Sequence, residues 1–357
     1  MKNYKKSYFF YVCLILLFMI SCGEIDLNEN GKKNKLPVIN GPALKVAIAP
    51  GGGINAYTSL YLAAKFAQET GKSIYNNFNQ FWGLSGGSIV AAMLMDSHKN
   101  SDANAVNYFR STIKDSYAGI KPIIEQIKDG TTLSDDVKTD NAGTRRNLFS
   151  SKLNMLFNKS IPQKVVITAS ANQEPVYYCH PSLRLPKDAL RNPNSTTLTT
   201  AIINSSNFQP GILANKKGGL FKIIRDTLLP DNRQYEVVDG FHARGSFNSP
   251  LEFAIDYLQT IRPPKGQNHK IVFFDNGNSI NGGVYRILAF ENGNNGYYEI
   301  NNKENDIIIE LYFLKIDDSD FNPNTANIED SSFVHRQNLV DSILNKEYFI
   351  NAVNAFK

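Results

Sequence analysis

From Lys45 onward, the chain alternates short apolar runs with longer segments whose apolar residues recur at helical spacing. Three of the apolar runs have the character of strands that are buried on both faces: Lys164–Ser170, Lys270–Asp275 and Ile307–Leu314. Helical spacing returns near the end, in Ser332–Leu344. Because alternating strands and helices are typical of α/β domains, the pattern predicts an α/β fold.

The chain begins with a basic segment and an unbroken apolar stretch, Tyr8–Ile20. This stretch is too short to span a membrane comfortably and has the form of a signal peptide. Ser21-Cys22 directly after it resembles the lipobox of bacterial lipoproteins, which implies removal of residues 1–21 and lipidation of Cys22. Acyl chains on Cys22 would hold the protein at a bacterial membrane, at the outer membrane or cell surface. An ordinary secretory signal and an uncleaved anchor are the alternatives.

The composition is that of a globular chain, with 42% hydrophobic and 20% charged residues. Residues 22–42 are rich in Asn, Lys and Gly and predict a flexible tether. We expect a main domain over residues 43–290 and a C-terminal extension, 291–357, packed on it. The net charge of +5 falls to +2 without the three lysines of residues 1–21, which is too small to indicate nucleic-acid binding. Cysteine and histidine nowhere have zinc-site spacing, so we expect no metal and no cofactor.

Gly83-Leu84-Ser85-Gly86-Gly87 fits the pattern Gly-x-Ser-x-Gly, with strand-like residues before it and the apolar run Ile89–Met95 after it. Between a strand and a helix, this pattern forms a sharp turn that presents the serine hydroxyl at the positive end of the helix. The backbone of the serine is then strained, which requires small neighbours such as Gly83 and Gly87. An ordinary glycine-rich turn with a surface serine is the alternative.

A second glycine-rich stretch follows the apolar run Val46–Ala49, where Pro50 leads into Gly51, Gly52 and Gly53. Backbone N–H groups without side chains around them can point at a carbonyl oxygen that becomes negative, as an oxyanion hole requires. A phosphate-binding turn and a plain connector are the alternatives, although the Gly-x-Gly-x-x-Gly spacing of a nucleotide loop is missing.

A third stretch is strand-like and ends in Asp239-Gly240. A carboxylate at the end of a strand can reach a site built at that edge of a sheet. Asp-Gly is also a frequent turn dipeptide, so Asp239 alone does not define a site.

Together, and in this order, the three stretches resemble the patatin-like phospholipase family. That family has a loop of three glycines, then a Gly-x-Ser-x-Gly elbow, then an Asp-Gly motif, and a catalytic Ser–Asp dyad without histidine. The resemblance implies a three-layer α/β/α fold with a central, mostly parallel sheet. It implies Ser85 as nucleophile, Asp239 as general base and Gly51–Gly53 as the oxyanion loop. It further implies a serine acyl hydrolase, of the phospholipase A or lysophospholipase type, that acts on a phospholipid or another lipid ester.

Two further stretches support this resemblance. Ala201–Pro210 resembles the Ala-Ser-x-Ala-x-Pro segment that the family has between the elbow and the aspartate. Asn248-Ser249-Pro250 resembles the Asn-x-Pro motif that follows the aspartate. The chain also departs from the family, with Pro50 in place of the usual Asp, Asn55 in place of a basic residue and Phe241 in place of Gly or Ala. These departures leave the dyad standing and concern how the glycine loop is held.

Two other interpretations remain. Ser, Asp and His in this order along the chain are also typical of α/β-hydrolases, which would add His335 or His242 to Ser85 and Asp239. The second interpretation is a surface lipoprotein with a binding role, built on a weakly active or inactive hydrolase fold.

Overall fold

The computed structural model describes residues 37–96, 106–107, 110–111, 146–147, 150–151, 153–155, 157–172, 174–185, 189–207, 225–240, 250–277, 282–316 and 330–357. The chain divides into two units, Met1–Lys35 and Leu36–Lys357, and all the described residues belong to the second. The predicted signal peptide, Cys22 and residues 22–36 of the predicted tether lie outside the described residues.

The strands in chain order are β1 Ile39–Asn40, β2 Lys45–Ala49, β3 Gln80–Leu84, β4 Val165–Ala171, β5 Glu174–Cys179, β6 Leu190–Arg191, β7 Arg225–Leu228, β8 Arg233–Asp239, β9 Ile261–Arg262, β10 His269–Phe274, β11 Tyr297–Asn302 and β12 Ile307–Leu314. The three strands predicted from apolar runs correspond to β4, β10 and β12. Near the end of the predicted tether, β1 pairs in parallel with β9.

Ten of these strands form one sheet around a parallel centre. β12, β10, β2, β3 and β4 lie side by side and run in the same direction. β11 is antiparallel to β12, β5 is antiparallel to β4 and is followed by β6, and β8 pairs with both β4 and β7. The predicted α/β fold with a central, mostly parallel sheet is confirmed. Because β2, β3 and β10 are parallel, the residues that follow them lie at one edge of the sheet.

The helices described from end to end are α1 Ala56–Thr70, α2 Ile74–Asn77, α3 Gly86–Asp96, α4 Leu198–Ser205, α5 Leu251–Leu258, α6 Gly283–Phe290, α7 Asp330–Asp341 and α8 Glu347–Asn354. They cover both faces of the sheet. Because successive side chains of a strand point to opposite faces, neighbouring strand residues belong to different cores. Ala47 and Phe81 belong to a core shared with α1, α3, α4, α7 and α8. Ile48 and Trp82 belong to a second core, shared with α5. The fold therefore has the three layers that were predicted.

The part of the chain after residue 290 contributes to both the sheet and the helical layers. β11 and β12 are strands of the sheet that contains β2 and β3. Phe349 of α8 packs edge-on against Phe66 of α1, with ring centroids 6.4 Å apart. The domain boundary placed at residue 290 stays a prediction.

Candidate active site

Ser85 alone occupies the turn between β3 and α3. β3 ends at Leu84 and α3 begins at Gly86, and Ser85 has a φ of 51°. This left-handed conformation is uncommon for a serine and stores strain. The backbone N–H and the hydroxyl of Ser88 both donate to the Ser85 carbonyl oxygen, at 3.0 and 2.5 Å, and hold the turn. The strand–turn–helix geometry predicted from the glycine pattern is present, with Ser85 half-buried at the start of α3.

The glycines around Ser85 stand where a side chain has no room. A Cβ on Gly83 would clash with the carbonyl oxygen of Gly87, and a Cβ on Gly87 would clash with the carbonyl oxygens of Ala49 and Pro50. Gly83 and Gly87 therefore bring the elbow into backbone contact with itself and with the chain that enters the glycine loop.

We expect the Gly87→Ala variant to lower ester hydrolysis at least about 100-fold, because a displacement of about 1 Å between reacting groups is enough for such a loss. The added methyl group pushes the elbow away from Ala49 and Pro50, whose backbone atoms cannot yield cheaply. Steady-state hydrolysis of a short-chain p-nitrophenyl ester measures the loss. Gly51→Ala is the matched comparison, since its Cβ would meet its nearest neighbours at 3.4 Å. Equal losses in the two variants would contradict the steric explanation.

The Gly51–Gly53 loop follows β2 and lies directly beside Ser85. Gly52 and Gly53 have positive φ values of 143° and 57°, which side chains rarely tolerate. A Cβ on Gly51 would be 3.4 Å from Cβ of Ser85. The loop and the elbow, which were predicted separately, are thus in contact.

Asn276, a residue that sequence reasoning missed, holds this loop from the neighbouring strand. It follows β10, is buried, and donates from Nδ2 to the Gly51 carbonyl oxygen at 2.7 Å. A Cβ on Gly52 would come within 2.6 Å of the same nitrogen. The signal available in the sequence was its place just after a predicted parallel strand, at the edge where ligands bind in α/β sheets.

Asp275 anchors the segment that carries Asn276. It is fully buried and pairs with Arg286 of α6, with Nη1 and Oδ2 2.7 Å apart. Its carboxylate also accepts hydrogen bonds from the backbone N–H of Asn276 at 2.9 Å and of Ile316 at 3.2 Å. Burial raises the pKa of Asp275 to about 6, and the ion pair and hydrogen bonds offset only part of that effect.

This pKa predicts a pH-dependent contribution to stability. Because the pKa of Asp275 rises from 3.8 to about 6 on folding, the folded chain holds this proton more tightly. The stabilising contribution is therefore complete below pH 3.8 and is lost as the pH rises through about 6. Relative to Asp275→Asn, the wild type should lose about 2–3 kcal/mol of unfolding free energy between pH 4 and pH 7. Urea unfolding at four pH values measures this difference, and a constant difference would contradict the assignment.

Asp239 ends β8, and strand register brings it to Ser85. β3 and β8 pair with the same edge of β4 and meet end to end: Leu84 is the partner of Thr168, and Asp239 is the partner of the next residue, Ala169. A Cβ on Gly240 would clash with the Leu84 side chain. Asp239 is 1% exposed. The carboxylate predicted from the Asp-Gly motif therefore lies at the strand end that adjoins the serine elbow.

The end of α4 joins the serine and the aspartate. Ser205 accepts a hydrogen bond from the Ser85 N–H at 2.8 Å and donates to the Thr168 carbonyl oxygen at 2.6 Å. Ser206 donates to the Ser85 carbonyl oxygen at 3.2 Å. The carbonyl oxygen of Asn207 accepts from the Asp239 N–H at 3.0 Å. The described part of the predicted Ala201–Pro210 segment thus contacts both members of the proposed dyad.

The other predicted residues are placed less closely or not described. His335 is exposed on α7. His242, Asn248 and Ser249 lie outside the described residues, and Pro250 directly precedes α5.

The described residues contain neither a candidate metal site nor a candidate membrane-spanning helix. In this part of the chain, no group of three or more His, Cys, Asp or Glu residues is arranged to bind a metal ion. Within the same ranges, no helix combines the length and the apolar character needed to cross a bilayer.

Comparison with known proteins gives distant similarities. No protein-family model matches the chain, and no curated protein matches it. Two solved structures that resemble it are of human GIVD cytosolic phospholipase A2 in complex with methyl gamma-linolenyl fluorophosphonate, one of them also with terbium chloride. Each is 14% identical over 92% of this chain, with TM-scores of 0.46 and 0.45, and this chain spans 60% of the length of those chains. This similarity is too low to support an argument about function, which has to rest on the contacts around Ser85.

Proposed function

We propose that the protein is a patatin-like serine acyl hydrolase that cleaves lipid carboxylic esters. Ser85 is the nucleophile, Asp239 is the general base and Gly51–Gly53 form the oxyanion loop. The observation that carries this proposal is the convergence of three features at one sheet edge. These are a serine with a φ of 51°, a glycine loop packed against it, and a buried carboxylate at the end of the adjoining strand.

Acylation begins when Ser85 Oγ attacks the ester carbonyl carbon and its proton passes to Asp239. A serine hydroxyl is a weak nucleophile and needs such a base beside it. The former carbonyl oxygen becomes negative and is stabilised by backbone N–H groups of the glycine loop, each worth about 3–4 kcal/mol in comparable sites. The bond to the alcohol oxygen then breaks, and the alcohol leaves with the proton held by Asp239.

Deacylation repeats these steps with water. The water oxygen attacks the carbonyl carbon of the acyl-enzyme while Asp239 accepts a proton from that water. The loop again stabilises the oxyanion. The bond between the acyl group and Ser85 Oγ breaks, Asp239 returns its proton to Ser85 Oγ, and a fatty acid is released. Every step uses groups of this chain and water.

The strained elbow supports the proposal in a further way. Ser85 is held by its backbone alone in the hydrogen bonds described above: its N–H is bound by Ser205 and its carbonyl oxygen by Ser88 and Ser206. Such contacts fix the position of Cβ while engaging only main-chain atoms. This suits a residue whose hydroxyl has to change partners during the reaction.

The experiment that tests the proposal is covalent labelling of the purified full chain with a fluorophosphonate probe, followed by mass spectrometry of the labelled peptide. We expect one modified residue, Ser85, together with hydrolysis of a short-chain p-nitrophenyl ester. Hydrolysis of phosphatidylcholine vesicles, followed by analysis of the released fatty acid and lysolipid, then identifies the acyl position. A folded protein that neither labels nor hydrolyses any of these esters would contradict the proposal and favour the binding lipoprotein.

The proposal includes a lipid anchor at Cys22, supported by the apolar stretch Tyr8–Ile20 directly before it. In a bacterium that processes lipoproteins, we expect the wild type to incorporate a palmitate analogue and to sediment with membranes, most of it at the outer membrane. The Cys22→Ser variant should lose both properties, because the thiol that carries the acyl chain is gone. Cys179→Ser is the matched control, since Cys179 is buried and should not affect labelling. Persistent labelling of Cys22→Ser would refute the anchor.

A further inference from the structure

Asn55 lies at the N-cap position of α1 without capping the helix. Asparagine at this position normally accepts a hydrogen bond from a backbone N–H of the first helical turn. Its side chain makes no such bond here. Its Oδ1 instead accepts two hydrogen bonds from Arg336, from Nη2 at 2.6 Å and from Nε at 3.2 Å. Asn55 is completely buried. A common local use of asparagine is thus given up for a contact with a distant residue, as happens at functional sites.

Arg336 reaches Asn55 from α7 and is itself held in place. It is 7% exposed. Its remaining nitrogen, Nη1, donates to the carbonyl oxygen of Ser332 at 3.0 Å and also to the Ser332 hydroxyl, one turn earlier on the same helix. All three guanidinium nitrogens are therefore engaged, which fixes the plane of the group. Burial of a charged group is costly without such hydrogen bonds, so this is not the placement of an ordinary surface arginine.

Asn55 connects Arg336 to the glycine loop. Gly53–Asn55 form a 3-10 turn, and the N–H of Asn55 donates to the Gly52 carbonyl oxygen at 3.0 Å. The carbonyl oxygen of Gly53 lies against the elbow, where a Cβ on Gly86 would clash with it. Contacts therefore run without interruption from α7, through Asn55, to the loop beside Ser85.

The location of the charge is also informative. A cation close to the N-terminus of a helix is repelled by the helix dipole, and Asn55 is the residue from which α1 starts. The guanidinium of Arg336 therefore adds positive potential to a helix end that is already positive. Negative charge that develops at the adjoining loop is stabilised by such a fixed, buried potential.

We infer that Arg336 is a positioning residue of the proposed hydrolase, which holds and polarises the Gly51–Gly53 loop through Asn55. The inference rests on the proposed function, because it assigns the loop a role in binding the oxyanion. It also gives α7 a part in the reaction, although no atom of that helix has to touch the substrate.

The test compares Arg336→Gln, Arg336→Lys, Asn55→Ala and the double variant Asn55→Ala/Arg336→Gln in the full chain. We expect Arg336→Gln to lower kcat for a short-chain p-nitrophenyl ester about 10- to 100-fold. KM should change less than about twofold, because the loop acts on the transition state. Arg336→Lys should recover part of the loss. The double variant should be no slower than about twofold below Asn55→Ala, because Arg336 acts through Asn55.

Gln337→Ala is the matched control for packing. Gln337 is the next residue of α7 and donates to the Tyr57 hydroxyl of α1 at 2.7 Å. It therefore joins the same two helices without contacting the loop. We expect this variant to keep wild-type kcat, even if urea unfolding shows a loss of stability similar to that of Arg336→Gln.

Hydrogen exchange gives a second readout that does not depend on activity. In folded protein, the backbone amides of residues 51–55 should exchange faster in Arg336→Gln than in the wild type or Gln337→Ala. If Arg336→Gln does not fold, Arg336→Lys carries both measurements, since it keeps the charge but cannot donate two hydrogen bonds from one plane.

A folded Arg336→Gln variant with wild-type kcat and wild-type exchange would overturn the inference. Equal loss of kcat in Gln337→Ala would overturn it as well, because the effect would then be one of helix packing. If the wild type neither labels with fluorophosphonate nor hydrolyses esters, the proposed function fails instead. The exchange of residues 51–55 then decides alone whether Arg336 holds the loop.

Discussion

Replacement of Ser85 by alanine should abolish both ester hydrolysis and fluorophosphonate labelling, with kcat/KM at least about 10⁴-fold below the wild type. The hydroxyl oxygen is the atom that forms the acyl-enzyme. The neighbouring hydroxyls of Ser88, Ser205 and Ser206 each donate to a backbone carbonyl oxygen instead. The backbone contacts of the elbow, from Ser88, Ser205 and Ser206, involve main-chain atoms of residue 85 and persist in the variant. Steady-state kinetics and mass spectrometry of the probe adduct measure the two losses.

The fold of this variant provides the control. Alanine meets the same backbone strain as serine at a φ of 51°, so the urea midpoint should change little. A Ser85→Ala protein that is folded and retains more than about 1% of wild-type hydrolysis would mean that the nucleophile lies elsewhere.

The Asp239→Asn variant should lose about 10⁴-fold in kcat, the loss known for replacing a triad aspartate by asparagine. An amide has nearly the shape of a carboxylate but cannot accept the serine proton. The backbone N–H of residue 239 still donates to the Asn207 carbonyl oxygen, so the end of β8 should remain in place. Fluorophosphonate labelling should slow in parallel with ester hydrolysis, because the same base activates Ser85 in both reactions.

Glu236→Gln is the matched control for this change. Glu236 lies on the same strand, its side chain is exposed, and it pairs with Arg225 across 3.6 Å. The substitution removes a carboxylate from β8 without touching the elbow, and kcat should remain within about twofold of the wild type. If His335→Ala caused a loss comparable to that of Asp239→Asn, the Ser-Asp-His alternative would replace the dyad, because a triad needs both side chains.

The parts of the site that could be predicted are those whose chemistry lies in consecutive residues. The elbow needs residues without a Cβ two positions before and two positions after Ser85. Both positions lie within five consecutive residues, so the sequence alone shows that glycine is present there. The strands β4, β10 and β12 were visible in the same way, because strands buried on both faces are apolar throughout. Local sterics and burial therefore account for the strands and for the loop and elbow.

The supporting contacts could not be predicted, because they join residues that are far apart in the chain. Asn276 is 225 residues from Gly51, and Arg336 is 281 residues from Asn55. Neither residue has a distinctive neighbourhood in the sequence, and each acquires its role only when the sheet order is known. The departures at Pro50 and Asn55 raised the question of how the loop is held, and Asn276 and Arg336 are the contacts that the fold supplies there.

The position of β2 has a consequence for how this protein is made. Val46 pairs with Gln80 on one side and with Ile271 on the other, so the strand synthesised first among the central five obtains one of its neighbours only after most of the chain has left the ribosome. Pairings between such distant residues carry a large loop-closure entropy and slow the folding reaction. Until β10 arrives, one side of β2 presents unpaired N–H and C=O groups, which are a template for aggregation. During the interval between the synthesis of β2 and that of β10, this side of β2 is therefore open to pairing with other chains.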